Sequence, residues 1–479
     1  MINIEQKHKI EYGDFQTPIE LADRICHKLI ELDVNPDLII EPTCGIGNFI
    51  EASSKTLLCT KKIIGIDINP SYLQQVKNNK QIQLSKVTLY ESDFFTLDWS
   101  FLSHCFDKNI LVIGNFPWVT NSQQGKINAI NLPIKNNFQN HHGLDAITGK
   151  SNFDISEWML IKTVDWLHNY DSYLAMLCKT SVARKLLNYI YNRQLNLSYC
   201  ATYRIDAKKY FAANVEACLL FCKFNANSQQ YFCDVFPDLN DPQYQRIGYY
   251  KKTLVRDLKY FQKVSSLFEQ KSSTQWRSGV KHDCSKVMEL TKHDQILVNG
   301  FGEAVNIENT FLFPLLKGSD IANGRTSSTE KYVLVTQKKP DDSTEYIKSI
   351  APKTWQYLER YSQYLDRRKS KIYQNKPRFS VFGVGKYTFQ PWKIAICGLY
   401  KKLDFQLIAE IDNKPTIFDD TVYFLGFDLE EDARKTYHLI TTQTAINFYS
   451  SLIFWDEKRP IKTKILNSLN LTALGNIEI

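Results

Sequence analysis

A succession of short apolar runs, each closing on a glycine or a carboxylate and each leading into a helical stretch, constrains this chain more than any other feature. Leu38-Ile-Ile precedes a turn holding Gly45 and Gly47, with a helix beginning near Gly47. Lys62-Ile-Ile-Gly-Ile-Asp67 leads through Asn69-Pro70 into a second helix, residues 87–93 give a third run and residues 109–114 a fourth. Runs this short and apolar are strands buried on both faces, and their alternation with helices predicts a parallel sheet covered by helices. Ahead of them Ile19, Ala22, Ile25, Cys26 and Leu29 fall at helical spacing within 18–32. Thr17 is placed to cap that helix, with Pro18 at its first position. The pattern continues through a helix over 154–167 and strands over 172–177 and 217–222.

At 479 residues the chain exceeds one ordinary core. Beyond about residue 225 the texture changes: apolar residues become intermittent, aromatics are frequent, and strand-like pieces such as 331–336 stand between basic loops. A first domain over 1–225 and a second, mixed α+β domain over 226–479 are therefore expected. Lys plus Arg number 59 against 51 Asp plus Glu, a net charge of +8 that hints at a polyanionic partner. The 11 Cys form no CxxC pair, so they read as reduced, buried thiols of an intracellular protein, and no metal is implied. The N-terminal residues hold no apolar run suited to a signal peptide, and no stretch reaches membrane-spanning length. A cytoplasmic protein is expected.

The turn Glu41-Pro-Thr-Cys-Gly-Ile-Gly-Asn-Phe49 lies between a buried strand and a helix, where glycines let the backbone approach a ligand. The next strand ends in Asp67, followed by Ile68, and a carboxylate there suits the two hydroxyls of a ribose. The third ends in Asp93-Phe94, a carboxylate for an adenine amino group beside an aromatic ring. Turn, ribose acceptor and base acceptor on consecutive strand ends make a nucleoside site. The Gly-x-Gly-x-x-Gly arrangement that seats a pyrophosphate is missing, so a cofactor with ribose and adenine but no phosphate fits better. Taken singly, Asp67 and Asp93 also suit the role of helix caps.

The fourth strand runs into Asn115-Phe116-Pro117-Trp118. The Asn115 side-chain oxygen and the Phe116 carbonyl can accept the two hydrogens of an exocyclic amine while Trp118 stacks on its base. Orientation would then supply much of the rate, because such an amine is a poor nucleophile. Trp118 read more plainly is a plug at the rim of the core.

In these segments the chain resembles the N6-adenine DNA methyltransferases of restriction-modification systems, in the subclass with an N-terminal methionine-binding segment and a C-terminal target recognition domain. Gly13-Asp-Phe-Gln-Thr-Pro18 resembles the first family segment, Glu41 through Phe49 the cofactor loop, and Ser151-Asn-Phe-Asp-Ile-Ser-Glu157 a segment near the active-site entrance. Tyr210-Phe-Ala-Ala-Asn-Val-Glu-Ala217 resembles the loop bearing a second stacking aromatic, here Phe211. The resemblance implies a Rossmann-like sheet binding S-adenosylmethionine through Thr17, Glu41, Thr43, Gly45 and Gly47, and through Asp67, Ile68, Asp93, Phe94 and Asn115. It implies Asn115, Phe116, Pro117 and Trp118 as the catalytic loop, with the target base flipped between Trp118 and Phe211. The family loop is Asn-Pro-Pro followed by Tyr or Phe; Phe116 and Trp118 depart from it.

No Pro-Cys dipeptide is present, which speaks against the thiolate chemistry of cytosine C5 methylation. Adenine N6 and cytosine N4 ask for nearly the same hydrogen bonds, and only the resemblance favours adenine. A non-catalytic DNA-binding module that retained the fold is the alternative of a different class. Two basic, glycine-containing segments are candidates to contact double-stranded DNA: one holds Trp276, Arg277, Gly279, Lys281 and Lys286, the other Arg378, Gly383, Gly385 and Lys386. Arg367-Arg368-Lys369 reads as touching phosphates or solvent. No second catalytic centre is seen, so a monomer working beside a separate restriction endonuclease, or alone, is expected.

Overall fold

The computed structural model describes residues 15–99, 109–118, 154–270 and 275–478. They divide into two compact units, Met1–Leu258 and Lys259–Ile479. Gly13, Asp14 and Ser151 to Phe153, quoted above within family-like segments, lie outside the described residues.

The first unit runs α1 (Ile19–Glu31), β1 (Leu38–Glu41), α2 (Asn48–Thr56), β2 (Lys62–Asp67), α3 (Pro70–Asn78), β3 (Val87–Glu91) and β4 (Ile110–Asn115). It continues with α4 (Ile155–Leu167), β5 (Ser172–Lys179), α5 (Thr180–Arg193), β6 (Tyr199–Ile205), α6 (Ala207–Phe211) and β7 (Ala217–Phe224). Three shorter strands follow: β8 (Phe232–Phe236), β9 (Gln245–Tyr250) and β10 (Thr253–Val255). All ten strands form one sheet in the order β10-β9-β8-β6-β7-β5-β4-β1-β2-β3. From β3 to β5 the pairings are parallel, while β7 enters antiparallel between β5 and β6.

This is a Rossmann-like sheet, and its apolar runs explain it: Ile39, Ile40, Ile63, Ile64, Leu111 and Val112 are buried, as strands covered on both faces require. Strand order reverses between β1 and β4, which leaves a crevice beyond their carboxyl ends.

α1 buries Leu21, Ala22, Ile25, Cys26 and Leu29, the face its spacing marks. The expected cap does not form. Pro18 itself holds the N-cap position with extended backbone, and its carbonyl receives the Leu21 and Ala22 N–H groups. The helix thus starts one residue late, and the Thr17 hydroxyl takes no part in it.

The boundary expected after residue 225 falls at 258 instead. β8 pairs in parallel with β6, and β9 and β10 follow by antiparallel pairing, so the segment read as the start of a second domain extends the first sheet. These strands are buried only in part, which is why their apolar residues look intermittent. The buried carboxylate of Asp234 on β8 receives Arg246 of β9 as a fork, Nε at 2.7 Å and Nη2 at 2.9 Å.

The second unit is α+β. Its strands are β11 (Arg277–Ser278), β12 (Glu289–His293), β13 (Ile296–Asn299), β14 (Ala304–Val305) and β15 (Leu312–Leu316), then β16 (Lys331–Leu334), β17 (Trp392–Cys397), β18 (Gln406–Ile408), β19 (Ile417–Phe418) and β20 (Val422–Phe427). They form a six-stranded sheet, β14-β13-β12-β16-β15-β19, and a four-stranded one, β11-β20-β17-β18. Trp355 and Leu358 of the helix Pro352–Arg360 pack into one core with Val333, Leu334 and Phe379.

Arg246→Met should destabilise the first unit by about 1 to 3 kcal/mol, because it leaves the Asp234 carboxylate buried without its partner. A shift of the denaturant midpoint of the first unfolding transition measures this; an unchanged midpoint would show that β8 and β9 are not part of that cooperative unit.

Candidate active site

A cleft open to solvent, with a cavity volume of about 140 Å³, lies at the carboxyl ends of β1 to β4. Its floor is the turn after β1, where Gly45 and Gly47 hold left-handed backbone at φ 50° and 84°. A Cβ on Gly47 would sit 2.7 Å from Val76 Cγ2, so both conformation and space call for glycine. Asp67 stitches this turn to the next strand: Gly45 N–H donates to Oδ2 at 2.7 Å and Asn69 N–H to Oδ1 at 2.8 Å. The helix-cap reading of Asp67 fails, because Asn69 caps α3 by accepting the Ser71 N–H. Asp93 receives the Phe95 N–H at 2.6 Å, a local turn that leaves its carboxylate on the cleft wall.

Three buried polar atoms on the cleft walls have no hydrogen-bond partner among the described residues: Thr17 Oγ1, Glu41 Oε2 and Asn115 Oδ1. A buried acceptor or donor left without a partner costs about 1 to 3 kcal/mol, and three of them facing one cleft mark a site awaiting a ligand. The amide of Asn115 is oriented by its other end, since Nδ2 donates to the Phe15 carbonyl at 3.0 Å and Oδ1 is thereby presented as an acceptor. The Asn115 carbonyl in turn receives the Thr43 hydroxyl at 3.3 Å. Burial, with the Asp67 charge nearby, holds the Glu41 carboxyl well above the ordinary carboxylate range.

Phe116 is buried, its ring edge-on to Phe94 with centroids 5.4 Å apart. Pro117 lines the cleft. Trp118 and Phe211 do come together, but as neighbours: their centroids are 5.0 Å apart at 64°, with Phe15 at 6.0 Å from Trp118 and 6.4 Å from Phe211. The expected pair of rings facing each other across a base-sized gap is not formed. A base between them needs about 7 Å, two ordinary carbon contacts. Ile68 is 42% exposed at the cleft mouth.

The basic candidates lie in the second unit. Their two segments adjoin: the main chains of Lys281 and Phe382 exchange both hydrogen bonds at 2.8 Å, and the position a Gly383 Cβ would take is 2.8 Å from the Gly279 carbonyl. Arg277 stacks on Tyr387 at 5.1 Å, so Arg277, Lys281 and Lys386 share neighbouring segments. Lys281 is 3.6 Å from Asp283, and Lys386 is 3.6 Å from Asp428. Arg378 is paired with Asp366 at 3.0 Å and Lys286 lies over the Phe301 ring, each with a partner of its own. Arg368 is not a phosphate or solvent contact. It donates to the carbonyls of Leu365, His282 and Ser380 and stacks on Tyr373 at 3.8 Å, which makes it a structural tie.

Several cleft residues were not singled out by the sequence. Gln16 Oε1 receives the Ile46 N–H at 3.1 Å and Asn48 donates to the Thr17 carbonyl at 2.6 Å, while Tyr72, Ser92 and Met159 complete the walls. Gln16 and Asn48 stand inside segments already quoted; polar residues next to motif positions were the available signal. Tyr72 and Met159 carry none, because a helical aromatic or methionine reads as core.

The sheet order and the cleft at its switch point define a Rossmann-like domain with a ligand site at the carboxyl ends of its strands. No family model matches the chain. It is 59% identical over 479 residues, all of both chains, to type II methyltransferase M.NspV of Nostoc sp. (strain ATCC 29411 / PCC 7524). It is 32% identical over 117 residues, 24% of this chain and 27% of the other, to type II methyltransferase M.CvrRI of Paramecium bursaria Chlorella virus XZ-6E. In structure it is similar to the type IIL restriction-modification enzyme MmeI, solved in complex with DNA, with a TM-score of 0.54 and 11% identity over 96% of this chain and 68% of that one. The chain belongs to the type II methyltransferases.

The residues present fit S-adenosylmethionine. Glu41 offers a buried carboxyl for an ammonium, the Thr17 hydroxyl a donor for a carboxylate, and Asp67 lines the cleft with a carboxylate, the chemistry that ribose hydroxyls call for. Below its raised pKa the free Glu41 is protonated, whereas pairing with an ammonium requires the carboxylate and lowers that pKa. Binding should therefore release a proton, and affinity should rise with pH until the raised pKa is passed. Calorimetry in buffers of different ionisation enthalpy should find proton release for the wild type and none for Glu41→Gln, with affinity weaker by about 1.5 to 3 kcal/mol. No release, together with wild-type affinity in the variant, would remove Glu41 from the ligand site.

Proposed function

We propose that the protein transfers a methyl group from S-adenosylmethionine to the N6 amino group of a flipped adenine at a specific sequence in double-stranded DNA. The observation that carries the reading is Asn115, whose amide is tied off at its nitrogen and buried without a partner at its oxygen. Such an atom is an acceptor held ready for one hydrogen of an amine. The Phe116 carbonyl is the second acceptor, so both amine hydrogens are held and the nitrogen lone pair is aimed along the cleft. S-adenosylmethionine, when bound, supplies an electrophilic methyl on its sulfonium. Neither a covalent protein intermediate nor a strong base is called for, because preorganised acceptors act as the charge on nitrogen changes.

A base stacked in a duplex cannot reach this cleft and must be extruded. Trp118 and Phe211 stack on it once they part by the extra distance a base requires. The second unit is the target reader in this proposal, with Arg277, Lys281 and Lys386 toward the DNA and Arg378 and Lys286 less directly engaged. The +8 charge and the likeness of fold to a DNA-bound restriction-modification enzyme support that assignment. Among the described residues no helix is long and apolar enough to cross a membrane. We place the enzyme in the cytoplasm as a monomer, protecting host DNA from a separate endonuclease of the same specificity.

Incubation with labelled S-adenosylmethionine and unmethylated bacterial DNA, followed by nucleoside analysis, should yield N6-methyladenine. N4-methylcytosine alone would reassign the base, and no methylated base would overturn the proposal. In the same assay Asn115→Ala should lower the transfer step by about 10²- to 10³-fold, the scale of one preorganised polar group, with cofactor affinity little changed. An equal loss of cofactor binding would return Asn115 to the cofactor pocket.

A further inference from the structure

Beyond the catalytic loop, at the end of β5, stands a lysine to which neither the sequence nor the comparisons assign a role. Lys179 Nζ donates to the Trp118 carbonyl at 3.1 Å and to Asp154 Oδ2 at 2.5 Å. Its side chain is 19% exposed and that of Asp154 is 7% exposed, so the pair is largely shielded from water. The other oxygen of Asp154 is used differently: Oδ1 caps α4 through the Ser156 N–H and hydroxyl. One ammonium therefore joins the last residue of the catalytic loop to the first turn of the helix that borders the cleft.

We infer that Lys179 is a positioning residue for methyl transfer, fixing the catalytic loop at Trp118 so that the acceptors at 115 and 116 keep their geometry. At its start the loop is held by β4, whose Asn115 pairs with Leu177 of β5, and by the Phe15 and Thr43 contacts. Among the described residues nothing comparable in main-chain pairing holds its end, because the strand stops at Asn115. A fixed φ at Pro117 stiffens one position, but Phe116 lacks the ring that a proline would bring there. Two devices make good that freedom: the Phe116 ring is buried against Phe94, and the Trp118 carbonyl is captured by a charge-assisted hydrogen bond, the stronger kind. Lys179 suits the task because β5 is the sheet neighbour of β4 and runs two residues past the Asn115 pairing. Its carboxylate partner keeps the ammonium aimed where a lone lysine would swing into water. Lys179 touches neither base nor cofactor; it acts through the loop.

This inference rests on the proposed activity, and the wild-type enzyme assayed in parallel keeps the two apart. Single-turnover transfer to unmethylated DNA should fall at least tenfold in Lys179→Met, with the S-adenosylmethionine dissociation constant within error of wild type and the fold retained, the thermal midpoint falling as expected for a buried carboxylate left without its partner. Lys179→Arg should recover much of the rate, since it restores a donor and a charge. Amide hydrogen exchange over 115–118 should quicken in Lys179→Met while exchange over 41–49 stays as in the wild type. Should Lys179→Met fail to fold, Asp154→Asn decides: it keeps Oδ1 for the cap, removes the charged acceptor, and should show the same slowed transfer and quickened exchange. Wild-type rate and exchange in the folded variant would overturn the inference, as would a loss confined to cofactor affinity. Transfer absent from the wild type as well would count against the proposed activity, and the exchange data alone would then judge the role of Lys179.

Discussion

The cleft depends on one carboxylate being filled by main-chain donors from two directions. Asp67 receives the Gly45 N–H from the turn after β1 and the Asn69 N–H from the entry to α3, so together with the Cys44 N–H bond to the Ile66 carbonyl it ties the two loops into one arrangement. That lock makes the left-handed turn at Gly45 and Gly47 a fixed surface instead of a mobile one. It also sets the electrostatics. Burial first, and the Asp67 charge second, make an ionised Glu41 costly, and its pKa rises accordingly. One acid thus gives the site its shape while the other is held for a cation to claim.

Much of this was legible because strand ends speak clearly. Buried runs such as Lys62–Asp67 announce a strand by apolarity and its functional end by the first charged residue, and the four runs place Glu41, Asp67, Asp93 and Asn115 at one end of one sheet. What stayed hidden depends on side-chain geometry or on partial burial. Thr17 was read as a cap because the sequence cannot say that Pro18 takes the N-cap place. The strands from Phe232 to Val255 were assigned to the wrong domain because an edge exposed to water dilutes its own apolar pattern. The sequence can name Trp118 and Phe211 as two aromatics of one site, but not that their rings lie in contact, 5.0 Å apart, with no gap between them. Arg368 looked like a surface charge among charges, and three carbonyls had to be located before its tying role could be seen.

In the second unit the two basic segments lie far apart in sequence yet adjoin through the Gly279 and Gly383 contact. A Cβ at Gly279 would sit 2.1 Å from the Asp419 carbonyl, and Gly383 has φ 79°, so side chains are excluded there for reasons of packing. Glycines that suggested a close approach to DNA thus serve, at least in part, an approach of the chain to itself. The charges they carry outward are partly balanced by Asp283 and Asp428. Phosphate contact there would exchange one anion for another, and salt should weaken it steeply.

Lys179 has a consequence for which positions can change independently. One ammonium serves both the Trp118 carbonyl at the end of the catalytic loop and the Asp154 carboxylate that caps α4. The loop and the helix start are therefore coupled, and a substitution that moves one of them must be accommodated by the other through this single side chain.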